Sequence, residues 1–359
     1  MAEKKKILYI VEAMGGGVFT YIVDLANELV DSYDVYIAYA VRKQTPENYE
    51  EYFDKRIHLL EVKNFIRTIN LAKDITAFFE IKKIATQVQP DVIHLHSSKA
   101  GAIGRMVFNG NIPMFYTPHG YSFLMENYKP MKRRMFKLIE WFCAKRSCTT
   151  ISCSMGEHQE TLKLTQRATY VNNGINISEL QKTVEQTEKV IHPFTVYTLG
   201  RICYQKNPML FNRIAELLPD IRFVWIGDGE LREELTSNNI EVTGWVDRTM
   251  AIKHALNADV FLLTSRWEGL PISLLESMYM RKVCVVSNVI GNKDVIKNRE
   301  NGFICENVEE FVEVINECKN GVDDRVEQAY QDILKLYNTK VMAERYKTIY
   351  ETAIDREKE

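Results

Sequence analysis

Short apolar runs alternate with helix-length amphipathic segments along almost the whole chain, and that alternation limits the fold more than any other feature. Runs of strand length lie at residues 7–11, 35–40, 57–62, 92–96, 114–117, 149–153 and 169–172. Between them, residues 18–30, 71–88, 100–108, 132–145 and 155–164 carry apolar side chains at helical spacing. Strands separated by such segments form parallel βαβ units rather than hairpins. A polar stretch rich in Gln, Thr, Glu and Lys, residues 179–189, interrupts the pattern. A second series follows at 194–199, 222–226, 260–264, 283–287 and 302–305, and the chain closes on an amphipathic segment at 341–354. The 359 residues are long for one core and natural for two. The pattern predicts an α/β chain of two doubly wound, Rossmann-like domains facing across a cleft. One spans residues 1–178 and the other 190–338, with a terminal helix at 339–359.

Charge and composition exclude several classes. With 46 basic and 48 acidic residues the formal net charge is -2, so the global basic excess of a nucleic-acid binder is missing. The seven cysteines include no C-x-x-C pair, which fits reduced thiols in the cytosol better than a disulfide framework. The first apolar run is too short for a secretory signal, and no stretch of eighteen apolar residues occurs. The expectation is a cytoplasmic protein, able to reach a membrane only through a local patch.

Doubly wound sheets bind ligands where strand ends pass into helices. The informative loops are therefore 12–18, 96–101, 118–123, 200–207, 227–231, 265–271 and 288–294. The strongest signal is Ser265-Arg266-Trp267-Glu268-Gly269-Leu270-Pro271-Ile272-Ser273-Leu274-Leu275-Glu276-Ser277-Met278. Pro271 suits the first turn of a helix. Glu268 then precedes the helix and Glu276 lies on its inward second turn. The amides of Gly269, Leu270, Ile272 and Ser273 offer a positive helix end to phosphate or sugar oxygens. Taken alone, the two glutamates could equally be solvated acids flanking a helix.

This segment resembles the E-x7-E motif of the retaining glycosyltransferases of family 4, and the resemblance extends from Ile7 to about Phe303. It implies the two-domain GT-B architecture, with the last helix returning to the first domain. It also implies that Glu268 faces the donor sugar and Glu276 binds the ribose of the nucleotide. The loop Gly200-Arg201-Ile202-Cys203-Tyr204-Gln205-Lys206-Asn207-Pro208 is similar to the family's diphosphate loop, in which an Arg and a Lys meet the leaving group. Arg201 can fork onto two phosphate oxygens and Lys206 can add a point charge; the alternative is a pair of surface cations. Such cations make Mg2+ unnecessary, and the sequence has no Asp-x-Asp. No metal and no cofactor beyond a UDP- or GDP-sugar donor is expected.

The remaining loops are less specific. Gly227 and Gly229, in Ile226-Gly227-Asp228-Gly229-Glu230-Leu231, resemble a family element close to the nucleotide, on a loop expected to open a helix. Gly16 and Gly17 lie in a glycine run that either approaches the ligand or merely makes a tight βα turn; it is not G-x-G-x-x-G. His119, before Gly120 at a strand end, matches a family histidine that contacts the donor sugar. His96 is a candidate cleft residue and His94 a packing residue, with no third ligand to make them a metal pair. Trp267 and Tyr121 are candidates for tuning the choice of sugar. Residues 129–142 combine five cations with Met131, Met135, Leu138, Ile139 and Phe142 as a core stripe, and Phe136 and Trp141 beside the cations suit anionic headgroups.

The expected function is retaining transfer of a sugar to a glycan or lipid-linked acceptor. The alternatives are a sugar-nucleotide epimerase of similar fold and a non-catalytic sugar-nucleotide-binding partner of a transferase complex. A nicotinamide dehydrogenase fails for want of the glycine fingerprint.

Overall fold

The computed structural model describes residues 4–42, 45–66, 70–108, 112–188, 190–321 and 325–356. The expected domain ends at 1–3 and 357–359, and Lys189 of the polar stretch, lie outside the described residues. The chain forms two compact units. One comprises Met1–Leu124, Tyr128–Asn173 and Thr339–Glu359, the other Met125–Asn127 and Gly174–Asn338.

The first unit holds a seven-stranded sheet of β1 (Lys5–Met14), β2 (Tyr33–Val41), β3 (His58–Glu61), β4 (Val92–His96), β5 (Met114–Thr117), β6 (Thr149–Ser152) and β7 (Ala168–Tyr170). The order is β3-β2-β1-β4-β5-β6-β7 and every pairing is parallel. Ile7 to Val11 are fully buried because helices cover both faces: Ile7, Tyr9 and Val11 enter one core, Leu8 and Ile10 the other. The helix Thr339–Arg356 belongs to this unit, with Met342, Ala343, Tyr346, Tyr350 and Ile354 in the first of those cores.

The second unit holds β8 (Thr195–Leu199), β9 (Arg222–Ile226), β10 (Ile240–Val242), β11 (Val260–Leu263), β12 (Val283–Ser287) and β13 (Phe303–Cys305). Their order, β10-β9-β8-β11-β12-β13, is again all parallel. In both sheets the winding reverses once, between β1 and β4 and between β8 and β11. A crevice opens at such a switch point beyond the strands' carboxyl ends.

Four expectations need correction. The polar stretch at 179–189 is no linker. Its first half is the end of a helix, Ile177–Glu185, capped by the Asn176 side chain and anchored by buried Leu180, and the units part between Asn173 and Gly174. The glycine run is scarcely a loop, because β1 continues to Met14 and the next helix starts at Gly16. The 227–231 loop leads only to a 3-10 turn, Arg232–Glu234.

The fourth concerns the basic helix, Pro130–Cys143. Its proposed core stripe faces outward: Met131 is 83% exposed, Leu138 64% and Phe142 57%. The inward face is instead Arg133, Phe136, Glu140 and Cys143, spaced at three and four residues. Glu140 holds it there, accepting from Arg105 Nη2 at 2.7 Å and from the Tyr116 hydroxyl at 2.8 Å. A buried ion pair with Arg105, rather than the apolar stripe, turns this face of the helix inward.

Candidate functional site

In the second unit the loop after β8 meets the loop after β11 across the switch point. Gly200 has φ +144, and a Cβ there would come within 3.3 Å of the Lys206 stem, so glycine makes room for the lysine. Lys206 Nζ donates to Glu268 Oε1 at 2.8 Å. Glu268 is nearly buried and also accepts from Ser265 Oγ at 2.6 Å and Gln205 Nε2 at 3.2 Å. Two more bonds tie the loops together: the Thr264 hydroxyl donates to the Lys206 carbonyl and Arg266 N–H to the Gln205 carbonyl, each at 2.8 Å. Gly291, at φ +86, packs so closely that a Cβ would lie 2.5 Å from the Gly269 carbonyl oxygen.

Arg201 is partly exposed and pairs with Glu230 of the next loop at 2.9 Å. Gly227 and Gly229 explain themselves through the fold. A Cβ on Gly227 would lie 2.3 Å from the Gly200 carbonyl oxygen and one on Gly229 2.2 Å from that of Ile202. Both glycines let the β9 loop lie against the loop that carries Arg201 and Lys206.

Pro271 is the cap of the helix Ile272–Tyr279 rather than its first residue. Leu274 makes the first intrahelical bond, to the Pro271 carbonyl, leaving the amides of Ile272 and Ser273 at the open helix end. Glu276 is buried one turn on and faces Arg248 Nη2 at 2.8 Å, while Arg248 Nε lies 3.2 Å from Glu179. The structure thus joins Lys206 directly to Glu268, and gives Arg201 and Glu276 other partners, Glu230 and Arg248. Arg248 escaped sequence reading because it stands in no motif; Gln205, Ser265 and Glu230 lie inside motifs whose other residues drew the assignment.

In the first unit Gly16 has φ +57, which favours glycine, and added Cβ atoms on Gly16 and Gly17 would meet nothing within 4 Å. The helix they open, Gly16–Leu29, carries Tyr21, whose ring meets His119 edge-on with centroids 4.6 Å apart. His119 itself has φ +55 and Gly120 φ +91. Holding a histidine in the left-handed region costs about 1–3 kcal/mol and persists only where neighbours over-determine it. Buried Glu157 does so, accepting from Gly120 N–H at 2.7 Å and Cys153 N–H at 2.8 Å. Tyr121 is buried, its hydroxyl 2.8 Å from Thr161 Oγ1, so it pins the loop and is withdrawn from contact with a sugar.

The histidines form one cluster. His94 is fully buried between the Tyr350 hydroxyl at Nδ1, 2.5 Å, and Thr117 Oγ1 at Nε2, 2.8 Å. His96 is equally buried, so it does not line an open surface. Its Nδ1 lies 3.1 Å from His119 Nε2. Burial pushes His119 down to about 3, and the same desolvation holds His94 and His96 well below the usual imidazole range. His119 is therefore neutral at ordinary pH and offers hydrogen bonds rather than a charge. Among the described residues no three His, Cys, Asp or Glu side chains gather as metal ligands.

Two family models divide the chain between them: "Glycosyltransferase Family 4" over residues 15–179 and "Glycosyl transferases group 1" over residues 181–332. An Escherichia coli relative, UDP-Gal:alpha-D-GlcNAc-diphosphoundecaprenol alpha-1,3-galactosyltransferase, is 30% identical over 308 residues, covering 77% of this chain and 78% of that one. Among solved structures, sucrose-phosphate synthase from Thermosynechococcus elongatus superimposes with a TM-score of 0.82 at 13% identity, covering 98% and 100% of the two chains. Anabaena Alr3699/HepE in complex with UDP and glucose gives 0.78 at 15% identity, covering 97% and 100%. The chain belongs to the group 1 glycosyltransferases, enzymes of the GT-B fold.

Proposed function

We propose that the enzyme transfers a sugar, with retention, from a UDP- or GDP-sugar to a lipid-linked glycan at a membrane surface, without a metal. The observation that carries this reading is the Lys206–Glu268 pair spanning the β8/β11 switch point, with the open helix end at Ile272 and Ser273 beside it. As the glycosidic bond breaks, negative charge grows on the diphosphate. Lys206 and Arg201 stabilise it, exchanging carboxylate partners for phosphate oxygens. Glu268, released from its lysine, remains held by Ser265 and Gln205 and orients the donor sugar. Glu276, facing Arg248 across an ion pair, accepts from the ribose hydroxyls. In the first unit, His119 bonds a sugar hydroxyl, and the open space over Gly16 and Gly17 admits the ligand. The acceptor hydroxyl attacks from the face the diphosphate leaves, and the leaving phosphate takes its proton. The E. coli relative's name favours UDP and a diphosphopolyprenol-linked acceptor.

Contact with the membrane is supported by the exposed face of Pro130–Cys143. Met131, Leu138 and Phe142 project beside Lys132, Arg134 and Lys137, while the acid of that helix, Glu140, is buried against Arg105. No helix among the described residues is long and apolar enough to cross a membrane.

The test is incubation with UDP- and GDP-sugars and a polyprenyl-diphosphate-linked sugar, with the product's anomeric configuration read by proton NMR. An α-linked product from an α-linked donor supports the proposal. An inverted product refutes retention, an isomerised donor points to an epimerase, and binding without turnover points to a non-catalytic partner.

A further inference from the structure

His119 does not stand alone, and its neighbour decides which of its nitrogens carries the proton. Neutral imidazole has one N–H and one lone pair. The 3.1 Å contact between His96 Nδ1 and His119 Nε2 needs a single proton, supplied by one ring or the other. His96 Nε2 is buried and meets no hydrogen-bond partner among the described residues. If His119 donated, the proton of His96 would sit on that Nε2, stranding an N–H in the core. If His96 donates, only a lone pair is stranded there. Orphaned buried N–H groups are the rarer of the two in folded proteins, because an unmet donor keeps its full desolvation penalty.

We propose that His96 is a positioning residue that fixes the tautomer of His119: His96 Nδ1–H donates to His119 Nε2, so His119 holds its own proton on Nδ1 and offers it to a ligand oxygen. The ring plane is set as well, by the edge of Tyr21 and by the loop that Glu157 clamps. The ligand oxygen is a hydroxyl of the donor sugar, an inference that rests on the reading of His119 as a donor-sugar contact. A consequence follows for the reaction. The lone pair of His119 is already engaged by His96, so this imidazole is a hydrogen-bond donor and not the base that takes the acceptor's proton.

The experiment is two-dimensional NMR of the full-length protein with 15N,13C-labelled histidine, which distinguishes the Nδ1–H from the Nε2–H form. The His119 signals are assigned by their loss in His119→Asn. The wild-type protein should show His119 as the Nδ1–H tautomer. His96→Phe should convert it wholly or partly to Nε2–H, and His96→Asn, whose amide N–H lies near the Nδ1 position, should restore Nδ1–H. Turnover should fall about tenfold or more in His96→Phe and recover in His96→Asn, with nucleotide affinity unchanged. An Nε2–H tautomer in the wild type overturns the proposal without need of any variant, as does a tautomer that ignores His96→Phe. A tautomer that switches while turnover stays constant leaves the His96 assignment standing and refutes instead the placing of His119 at the donor sugar.

Discussion

Replacing Lys206 with alanine removes the cation that faces Glu268, and the structure sets how stability and turnover should divide. The two side chains are 15% and 7% exposed, so solvent screens them little. Stripping a buried carboxylate of its only partner costs about 3–5 kcal/mol. Glu268 keeps the Ser265 hydroxyl and the Gln205 amide, which offset much of that, leaving a loss of about 1–2 kcal/mol. In a unit of this size each kcal/mol lowers the melting midpoint by about 2–4 °C, so the shift should stay below about 8 °C. Turnover should fall further, by about 10²–10³-fold, the effect of removing one preorganised donor from a developing charge. Transfer rates and melting curves from the same Lys206→Ala preparation test both numbers, with Lys206→Arg expected to recover part of the rate. Turnover within about threefold of wild type would refute the assignment of Lys206 to the leaving group.

Other outcomes are expected. Glu276→Ala should weaken nucleoside diphosphate binding by about tenfold or more in titration calorimetry, and Arg248→Ala should weaken it through Glu276; equal affinity for uridine diphosphate and inorganic diphosphate in the wild type would contradict a ribose contact. Acid should destabilise the first unit. His94, His96 and His119 titrate near 6.5 when unfolded and are depressed when folded, so below pH 6.5 the unfolded chain binds more protons. Each histidine should remove about 1 kcal/mol between pH 6.5 and 5.5 and about 1.4 kcal/mol per further pH unit, until the folded values are reached; melts that do not change over that range would contradict a neutral cluster. Changing Lys132, Arg134 and Lys137 together to glutamate should reduce partitioning onto anionic vesicles by about a hundredfold or more, at about 1 kcal/mol per cation, and salt should weaken the wild-type binding; unchanged partitioning would contradict the membrane contact.

The sheets were legible because strands buried on both faces write themselves as continuous apolar runs; β4, β5, β9 and β12 have the bounds those runs give. The three-residue β10 left no such run. Lys206 and Glu268 could be singled out because each sits in a motif at a strand's carboxyl end, but neither motif says that the two would meet. Long-range polar partners have no local signature: Arg248 lies 28 residues from Glu276 in sequence, and Tyr350 lies 256 from His94. The basic helix shows the opposite failure, a local pattern overruled by one distant pairing, Arg105 with Glu140. Gly227 and Gly229 resemble a family element close to the nucleotide, and the close approach the structure explains is to the backbone of Gly200 and Ile202.

Crystallising the enzyme with uridine diphosphate tests the central claim most directly. The account predicts Lys206 Nζ and the Arg201 guanidinium on diphosphate oxygens, with both ribose hydroxyls donating to Glu276. A nucleotide bound with its diphosphate away from Lys206, or its ribose away from Glu276, would contradict it.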